Sequence, residues 1–559
     1  MRDGVQLAAD IYRPDTEAPV STLLCRTPYG RSVALTYPRQ LYDGLRFVKE
    51  GYAIVTQDTR GRFESEGDFY PFRNEAADGS DTIAWITRQA WSDGRIGMIG
   101  GSYVGATQWL PASENPPGLL AIAPAVTASD YRDGWLYRGG AFELGFSLDW
   151  TLGLCLDTAR RIAEASGVGG LVDRVLDARD RLETLYRGLD PDAASLLEEV
   201  APYYFEWLAH PDRDAAWPSI APDPDPEAAR APALNIGGWY DNFVEGTLVN
   251  YTRQRSAAMV AGRPAPRLIV GPWTHDIYTG IFRGRRFGSR SSIDSADLVG
   301  EEIRWFDRWV RGVANDVESL PPVRLFVMGA DEWRDFNDWP PPAASERRLY
   351  LRPPKFDRRG RRHAGRLTAT PPSEDGPGVE LRFDPTNPVP TLGGATLLAG
   401  SHIGELAGPV DLGSIATRAD VIRYTSRPFV RPTLIVGSIE LHLVATATSG
   451  RGQTGFDLAA HVSVVSQDGH SEVLTSGIIR VPPGRAGDRL QMSLGATAVL
   501  IDRGQRLSLI IATSDFPRFD LNPSAMASEG TTVSITASGG NAATLILQVM
   551  PDHDAEEAA

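Results

Sequence analysis

Residues 95–109 read RIGMIGGSYVGATQW. An apolar run ends in Gly100 and Gly101, turns at Ser102 and passes at once into a helix-forming stretch. A strand that hands over to a helix this abruptly belongs to a sheet on which the helix packs back, the repeating unit of a parallel α/β fold. The sharp turn also lifts one side chain, here Ser102, clear of the sheet. The common spacing for such a serine is G-x-S-x-G. In this chain Gly100 stands two residues before Ser102, but Val104 stands two after it and the glycine is delayed to Gly105. Taken alone, the turn fits either an exposed nucleophile or an ordinary serine in a glycine-rich bend.

The flanking sequence supports the parallel sheet. STLLCRT (21–27), YAIVTQD (52–58) and LLAIAPAVT (119–127) are short, β-branched, apolar runs, and helical spacing intervenes at 75–90. From 128 to 230 the pattern changes to aromatics, then a charged helical stretch from Asp157 to Tyr204, then a proline-rich loop, with no strand expected. The α/β signal resumes with PALNIGGWYDN (232–242), a helix at 243–258, PRLIVGPW (266–273), a helix near 299–312 and VRLFVMG (323–329). Beyond 330, prolines and glycines punctuate short Val-, Ile- and Thr-rich runs and helical period fades, which reads as an all-β sandwich of jelly-roll type. The expected division is a first core part at 1–127, a helical insertion at 128–230, a second core part at 231–330 and the β domain at 331–559. The last residues, DHDAEEAA, read as an acidic tail.

At 559 residues the chain is too long for one core, in keeping with that division. Its net charge of -15, with both signs interspersed, argues against a nucleic-acid partner. No apolar run is long enough to span a bilayer, so no membrane partner is expected. Two cysteines, Cys25 and Cys155, make no disulfide framework. Arg2 and Asp3 follow Met1 directly with no apolar leader, from which a cytoplasmic location is expected. Strand-rich C-terminal domains can pair, and a homodimer is the assembly that would follow.

A serine becomes a useful nucleophile when a base takes its proton and a carboxylate orients the base. On a parallel sheet these partners follow the serine in the order acid, then histidine, each just past a strand. Of the eight histidines, His275 alone follows an α/β-type strand, LIVGPWTH. The strand before it, ALNIGGWYDN, delivers Asp241. Ser102, Asp241 and His275 therefore meet three separate requirements in order. Each also has a plainer reading: a turn serine, a helix N-cap at Asp241 and a structural histidine. The Tyr103 N–H, first in the new helix, is available to a developing oxyanion. Tyr29, in CRTPYGR after the first clear strand, carries a hydroxyl that can donate to the same atom or simply fill a loop.

At this level the chain resembles the cocaine-esterase-like (CocE/NonD) branch of the X-Pro dipeptidyl-peptidase, S15-like serine hydrolases. The resemblance rests on MRDGVQLAADIYRP, RTPYGR, QDTRGRFESEGDFYPF, DGRIGMIGGSYVGATQW, GGWYDNF, VGPWTH and VRLFVMGADEWRD, in order along nearly the whole chain. It implies an α/β-hydrolase core, a helical cap inserted after the sixth strand region and a C-terminal jelly roll. The family places its nucleophile in G-x-S-Y-x-G, which Gly100, Ser102, Tyr103 and Gly105 satisfy. By the same resemblance Asp241 is the acid, His275 the base, and the Tyr29 hydroxyl and Tyr103 N–H the oxyanion donors. No metal or organic cofactor is implied.

The resemblance also implies an acyl pocket of Trp135, Trp150 and Phe243, each of which could equally be core packing, closed by the loop GGATLLAG with Leu398. Ala399 stands where the family pattern has a bulky aromatic, implying a roomier or differently shaped pocket. Asn242, Phe243 and Val244 follow Asp241, so the carboxylates that α-amino acid ester hydrolases carry there for a substrate ammonium are missing, though Asp130 and Asp133 remain. The N-terminal helical domain of true X-Pro dipeptidyl peptidases is also missing. The expected activity is hydrolysis of small acyl or aroyl esters through an acyl-enzyme. The alternatives are an amide-directed acylase of glutaryl or β-lactam type, an X-Pro dipeptidyl peptidase-like amide hydrolase and, least favoured, a non-catalytic sugar-binding protein. The family has a strand ahead of MRDGV, so either an edge strand is lost or the true start lies upstream of Met1.

Overall fold

The computed structural model describes residues 1–35, 42–167, 169–355, 363–372, 378–398, 407–450, 452–485, 487–528, 530–536 and 542–551. In chain order its first strands are β1 (Ala9–Tyr12), β2 (Val20–Thr27), β3 (Ala53–Asp58), β4 (Ser92–Gly101) and β5 (Leu119–Ala125). A small hairpin follows, β6 (Tyr137–Arg138) with β7 (Ala141–Phe142). The sheet then resumes with β8 (Leu234–Tyr240), β9 (Arg267–Thr274), β10 (Val323–Val327) and β11 (Glu332–Phe336). Nine of these strands form one sheet in the order β1-β3-β2-β4-β5-β8-β9-β10-β11. From β3 to β10 each pairs parallel with its neighbours, and the edge strands β1 and β11 run antiparallel. The inner strands β2, β3, β8 and β9 are buried along nearly their whole length, as continuous apolar runs on a two-sided sheet must be.

Four strands differ from the sequence expectation. β1 is four residues long and partly exposed, too short and too mixed for periodicity to mark. β11 carries Glu332, Arg334 and Asp335 on an exposed edge and takes the sheet past residue 330. The β6–β7 hairpin interrupts a stretch in which no strand was expected, at Gly139 and Gly140, both with positive φ.

The cap follows β5, the fifth strand in chain order. Its first helix is long, Leu144–Ser166, and begins well before the charged stretch that signalled helix in the sequence. Shorter helices carry the chain to Ile220. The cap's core is aromatic and continuous with the first turns above the sheet: Phe72, Tyr103, Tyr131, Trp135, Phe146, Trp207 and Phe243 pack as one cluster.

Residues 345–549 form the all-β domain, whose longest strand spans Thr433–Ser449. It is not tethered loosely. Trp239, Tyr240 and Val244 of the β8 region share one hydrophobic cluster with Leu441, Leu474 and Leu509 of the β domain. Met328 N–H donates to Ala498 O at 3.0 Å, and Tyr240 donates its hydroxyl to Val473 O at 3.3 Å. The strand that leads to Asp241 is therefore braced from the β side. Among the described residues no helix is long and apolar enough to cross a membrane.

Candidate active site

The turn at the end of β4 is strained. Ser102 sits at φ 62, ψ −128, a conformation that costs a non-glycine residue about 1–3 kcal/mol. Backbone bonds hold it there: Ser102 N–H donates to Ala125 O at 2.9 Å, and Ser102 O accepts from Gly105 N–H at 2.8 Å. Gly100 supplies a φ of 127 on the approach. Gly105 is needed for space, since a β-carbon there would lie 2.7 Å from Thr127 Cβ. The helix Tyr103–Glu114 can thus lie close against the end of β5. Gln108, which sequence reasoning passed over, staples the turn, donating to Gly100 O at 2.8 Å and accepting from Ala123 N–H at 3.1 Å.

Asp241 and His275 stand just past β8 and β9, at the same end of the sheet as Ser102, where parallel sheets gather their binding groups. His275 Nε2 lies 3.0 Å from Ser102 Oγ, and His275 Nδ1 lies 2.8 Å from Asp241 Oδ1. Asp241 is fully buried and His275 nearly so. The helix that follows starts at Val244 with Phe243 at its cap position, so the Asp241 carboxylate serves His275 and not a helix end. Tyr278 donates its hydroxyl to His275 O and fixes the loop from behind. The arrangement can pass a proton from the serine hydroxyl to the imidazole while the carboxylate holds the ring.

The Tyr103 side chain points away from this chain of bonds. Its hydroxyl accepts from Phe72 N–H at 2.8 Å and donates to Glu75 Oε1 at 2.9 Å. Glu75 in turn pairs with Arg26 at 2.7 Å. Burial raises the Glu75 pKa above the usual carboxylate range, with Arg26 pulling the other way. This buried group anchors the first residue of the helix, whose N–H has no acceptor within the helix. Tyr29 is half-buried against the same aromatic cluster, and its hydroxyl oxygen accepts from Trp150 Nε1 at 3.1 Å.

Trp135, Trp150 and Phe243 come together. Trp135 stacks on Phe243 with ring centroids 4.3 Å apart, and Trp150 meets Trp135 edge-on at 5.4 Å. Phe243 also meets the His275 ring edge-on at 5.3 Å. Leu398, from the β domain, packs on the start of the cap helix, where a β-carbon on Gly145 would lie 2.1 Å from Leu398 Cδ2. Ala399 lies outside the described residues. Asp130 and Asp133 are already answered within the chain: both pair with Arg213, as does Asp223.

One partly buried cation joins the parts. Arg138, on β6, donates to Asn242 O at 2.7 Å and pairs with Glu143 at 3.0 Å and with Glu245. Burial works against its charge, but Glu245 and Glu143 outweigh it and raise its pKa. Glu143 also pairs with Arg518 of the β domain. Cap, acid loop and β domain thus meet next to Asp241. The two thiols play no such part: burial pushes Cys25 and Cys155 up to about 12. Among the described residues no three His, Cys, Asp or Glu side chains are placed to share a metal ion.

Residues 3–276 match the family model "X-Pro dipeptidyl-peptidase (S15 family)", and residues 315–545 match "X-Pro dipeptidyl-peptidase C-terminal non-catalytic domain". Cocaine esterase of Rhodococcus sp. (strain MB1 Bresler) is 35% identical over 538 residues, covering 93% of this chain and 91% of that protein. The chain belongs to the S15 family of serine hydrolases. A solved α-amino acid ester hydrolase has the same fold: TM-score 0.79, 22% identity, covering 98% of this chain and 95% of that one. A CocE/NonD family hydrolase from Staphylococcus aureus superposes with TM-score 0.68 at 18% identity, covering 98% and 92%. This S15 member is an enzyme, with an α/β core and a separate all-β domain.

Proposed function

We propose that this S15 member is a carboxylic-ester hydrolase that works through an acyl-enzyme. Ser102 Oγ attacks the ester carbonyl carbon as its proton passes to His275 Nε2. Asp241 holds the ring and stabilises the imidazolium. The Tyr29 hydroxyl and Tyr103 N–H donate to the tetrahedral oxyanion. His275 then returns the proton to the departing alkoxide, the C–O bond breaks, and the acyl group stays on Ser102. Water, deprotonated by the same histidine, attacks that ester and frees the acid and the serine.

The observation that carries this reading is the continuous Ser102–His275–Asp241 hydrogen-bonded chain at a strained strand-to-helix turn. The aromatic walls Trp135, Trp150 and Phe243 favour a small acyl or aroyl group, in keeping with the likeness to cocaine esterase. Arg213 answers the cap carboxylates, which disfavours a substrate whose recognition depends on an α-ammonium. The test is Ser102→Ala assayed on p-nitrophenyl esters, with fluorophosphonate labelling of the native protein. Unchanged hydrolysis in the variant, or labelling at another residue, sinks the reading. The ratio of turnover on an aryl ester to that on the matching anilide separates an esterase from an amide-directed acylase.

A further inference from the structure

The β domain holds a cavity of about 1150 Å³ that shares no residue with the site above. Arg347, Arg366, Arg427, Arg431 and Arg506 line it together with Phe429, and among the described residues no carboxylate does. Arg347 lies on Ser345–Arg352, Arg366 on Gly365–Thr368, Arg427 just past Ile422–Thr425 and Arg506 at the head of Arg506–Ala512. These four strands are consecutive in the sheet. Adjacent strands lie about 4.8 Å apart, and the register of Arg366 with Thr425 and of Thr425 with Ser508 puts Arg366, Arg427 and Arg506 on one face in a row roughly 10 Å across, with Arg347 beside it over Phe429.

Several other arginines of the molecule are answered by carboxylates. Arg31 meets three carboxylates, those of Asp10, Asp58 and Glu64. Arg60 and Arg480 each meet two. Arg347, Arg366, Arg427 and Arg506 meet none among the described residues; Arg347 lies over the Phe429 ring at 5.9 Å, and Arg506 donates to Ser426 O at 3.2 Å. A chain of net charge -15 does not lack carboxylates to answer them. The row instead keeps its planar donor forks open, and such forks match carboxylate, sulfate or phosphate oxygens two at a time.

The length of the row fits a ligand with anionic groups at intervals better than a single ion. The cavity wall adds the hydroxyls of Thr368, Thr370, Thr425 and Ser426, suited to a ligand rich in hydroxyls. Among the described residues Phe429 is the one aromatic ring in that wall, whereas a single-stranded nucleic acid calls for a series of rings under successive bases. The net negative charge of the chain also opposes a long polyanion while a short one feels mainly the local row. We propose that this groove binds a short acidic oligosaccharide.

The proposal does not depend on the esterase reading. It is tested by fluorescence anisotropy with a labelled galacturonate tetramer on the intact protein. Saturable binding is expected, weakening about tenfold between ~50 and ~200 mM salt as the charges are screened. Arg366→Gln/Arg427→Gln should reduce affinity at least tenfold while ester hydrolysis and melting temperature stay unchanged. Arg347→Gln/Arg506→Gln gives the same readout should the first pair fail to fold. The neutral tetramer should not bind. Absence of saturable binding, or binding indifferent to both double variants, overturns the proposal. So does tighter binding of tripolyphosphate or of a single-stranded oligonucleotide, which would make the ligand a phosphate chain.

Discussion

Trp150 donates its indole N–H to the hydroxyl oxygen of Tyr29 at 3.1 Å, tying the cap helix to the loop after β2. The bond fills an acceptor site on Tyr29 and strengthens the phenol as a donor in its turn. On the proposed mechanism Trp150 is therefore more than a wall of the proposed acyl pocket. Trp150→Phe keeps a ring and removes the N–H. Its loss should lower kcat about fivefold with little change in KM, the worth of one neutral hydrogen bond. Tyr29→Phe should lower kcat about 10²–10³-fold as an oxyanion donor is lost. In the Tyr29→Phe background the tryptophan substitution should add nothing further. Equal effects in both backgrounds would reduce Trp150 to packing.

Asp241 has one oxygen on His275, while Oδ2 has no hydrogen-bond partner among the described residues and no exposure to water. The Arg138 guanidinium lies near enough to interact with this carboxylate. Asp241→Asn keeps the shape and removes the charge that favours the working tautomer. We expect kcat to fall about 10⁴-fold with the fold intact. Steady-state kinetics beside a melting curve checks this, and a loss under tenfold would mean that the carboxylate only fills space.

Much of this arrangement was legible in the sequence because its signals are local. Gly-Gly-Ser before a helix, and Asp241 and His275 each closing an apolar run, can be read one stretch at a time. What escaped is held by contacts between distant stretches. Gln108 is one polar residue on a buried helix until its bonds to Gly100 and Ala123 are seen. Arg26, Glu75 and Tyr103 come from three elements and form one buried group. Arg138 lies far from Asn242 and Arg518 in sequence, and no periodicity announces that they converge. The edge strands β1 and β11 were missed for a different reason: half-exposed strands carry charges and lack the apolar run that marks a central one.

The strained turn separates stability from activity at two neighbouring positions. Ser102→Gly removes the nucleophile and relieves a φ of 62, so an inactive protein melting at or above the native temperature is expected. Gly105→Ala retains the nucleophile but places a methyl 2.7 Å from Thr127 Cβ. That crowding should cost about 1–3 kcal/mol and lower the melting temperature by several degrees. A Ser102→Gly protein that melts well below the native one would show that the serine side chain stabilises the turn it strains.

Glu302 gives the fold a pH dependence of its own. It lies on the helix Leu298–Phe306, 1% exposed, and its Oε2 has no hydrogen-bond partner among the described residues. Burial raises its pKa well above the usual carboxylate range, and Arg46 offsets only part of this. The folded protein therefore keeps a proton that the unfolded chain loses above about pH 4.3. Stability from this group is fully present below the unfolded pKa and falls as pH rises through the folded one, by at most about 1.4 kcal/mol per pH unit. Glu302→Gln removes the titration and keeps the shape. Melting curves of both proteins should diverge as pH rises from 5 to 9, with the variant gaining on the native chain. Other titrating groups are common to both and cancel. A constant difference across that range would mean that the Glu302 carboxyl reaches water or a counter-charge in the folded state.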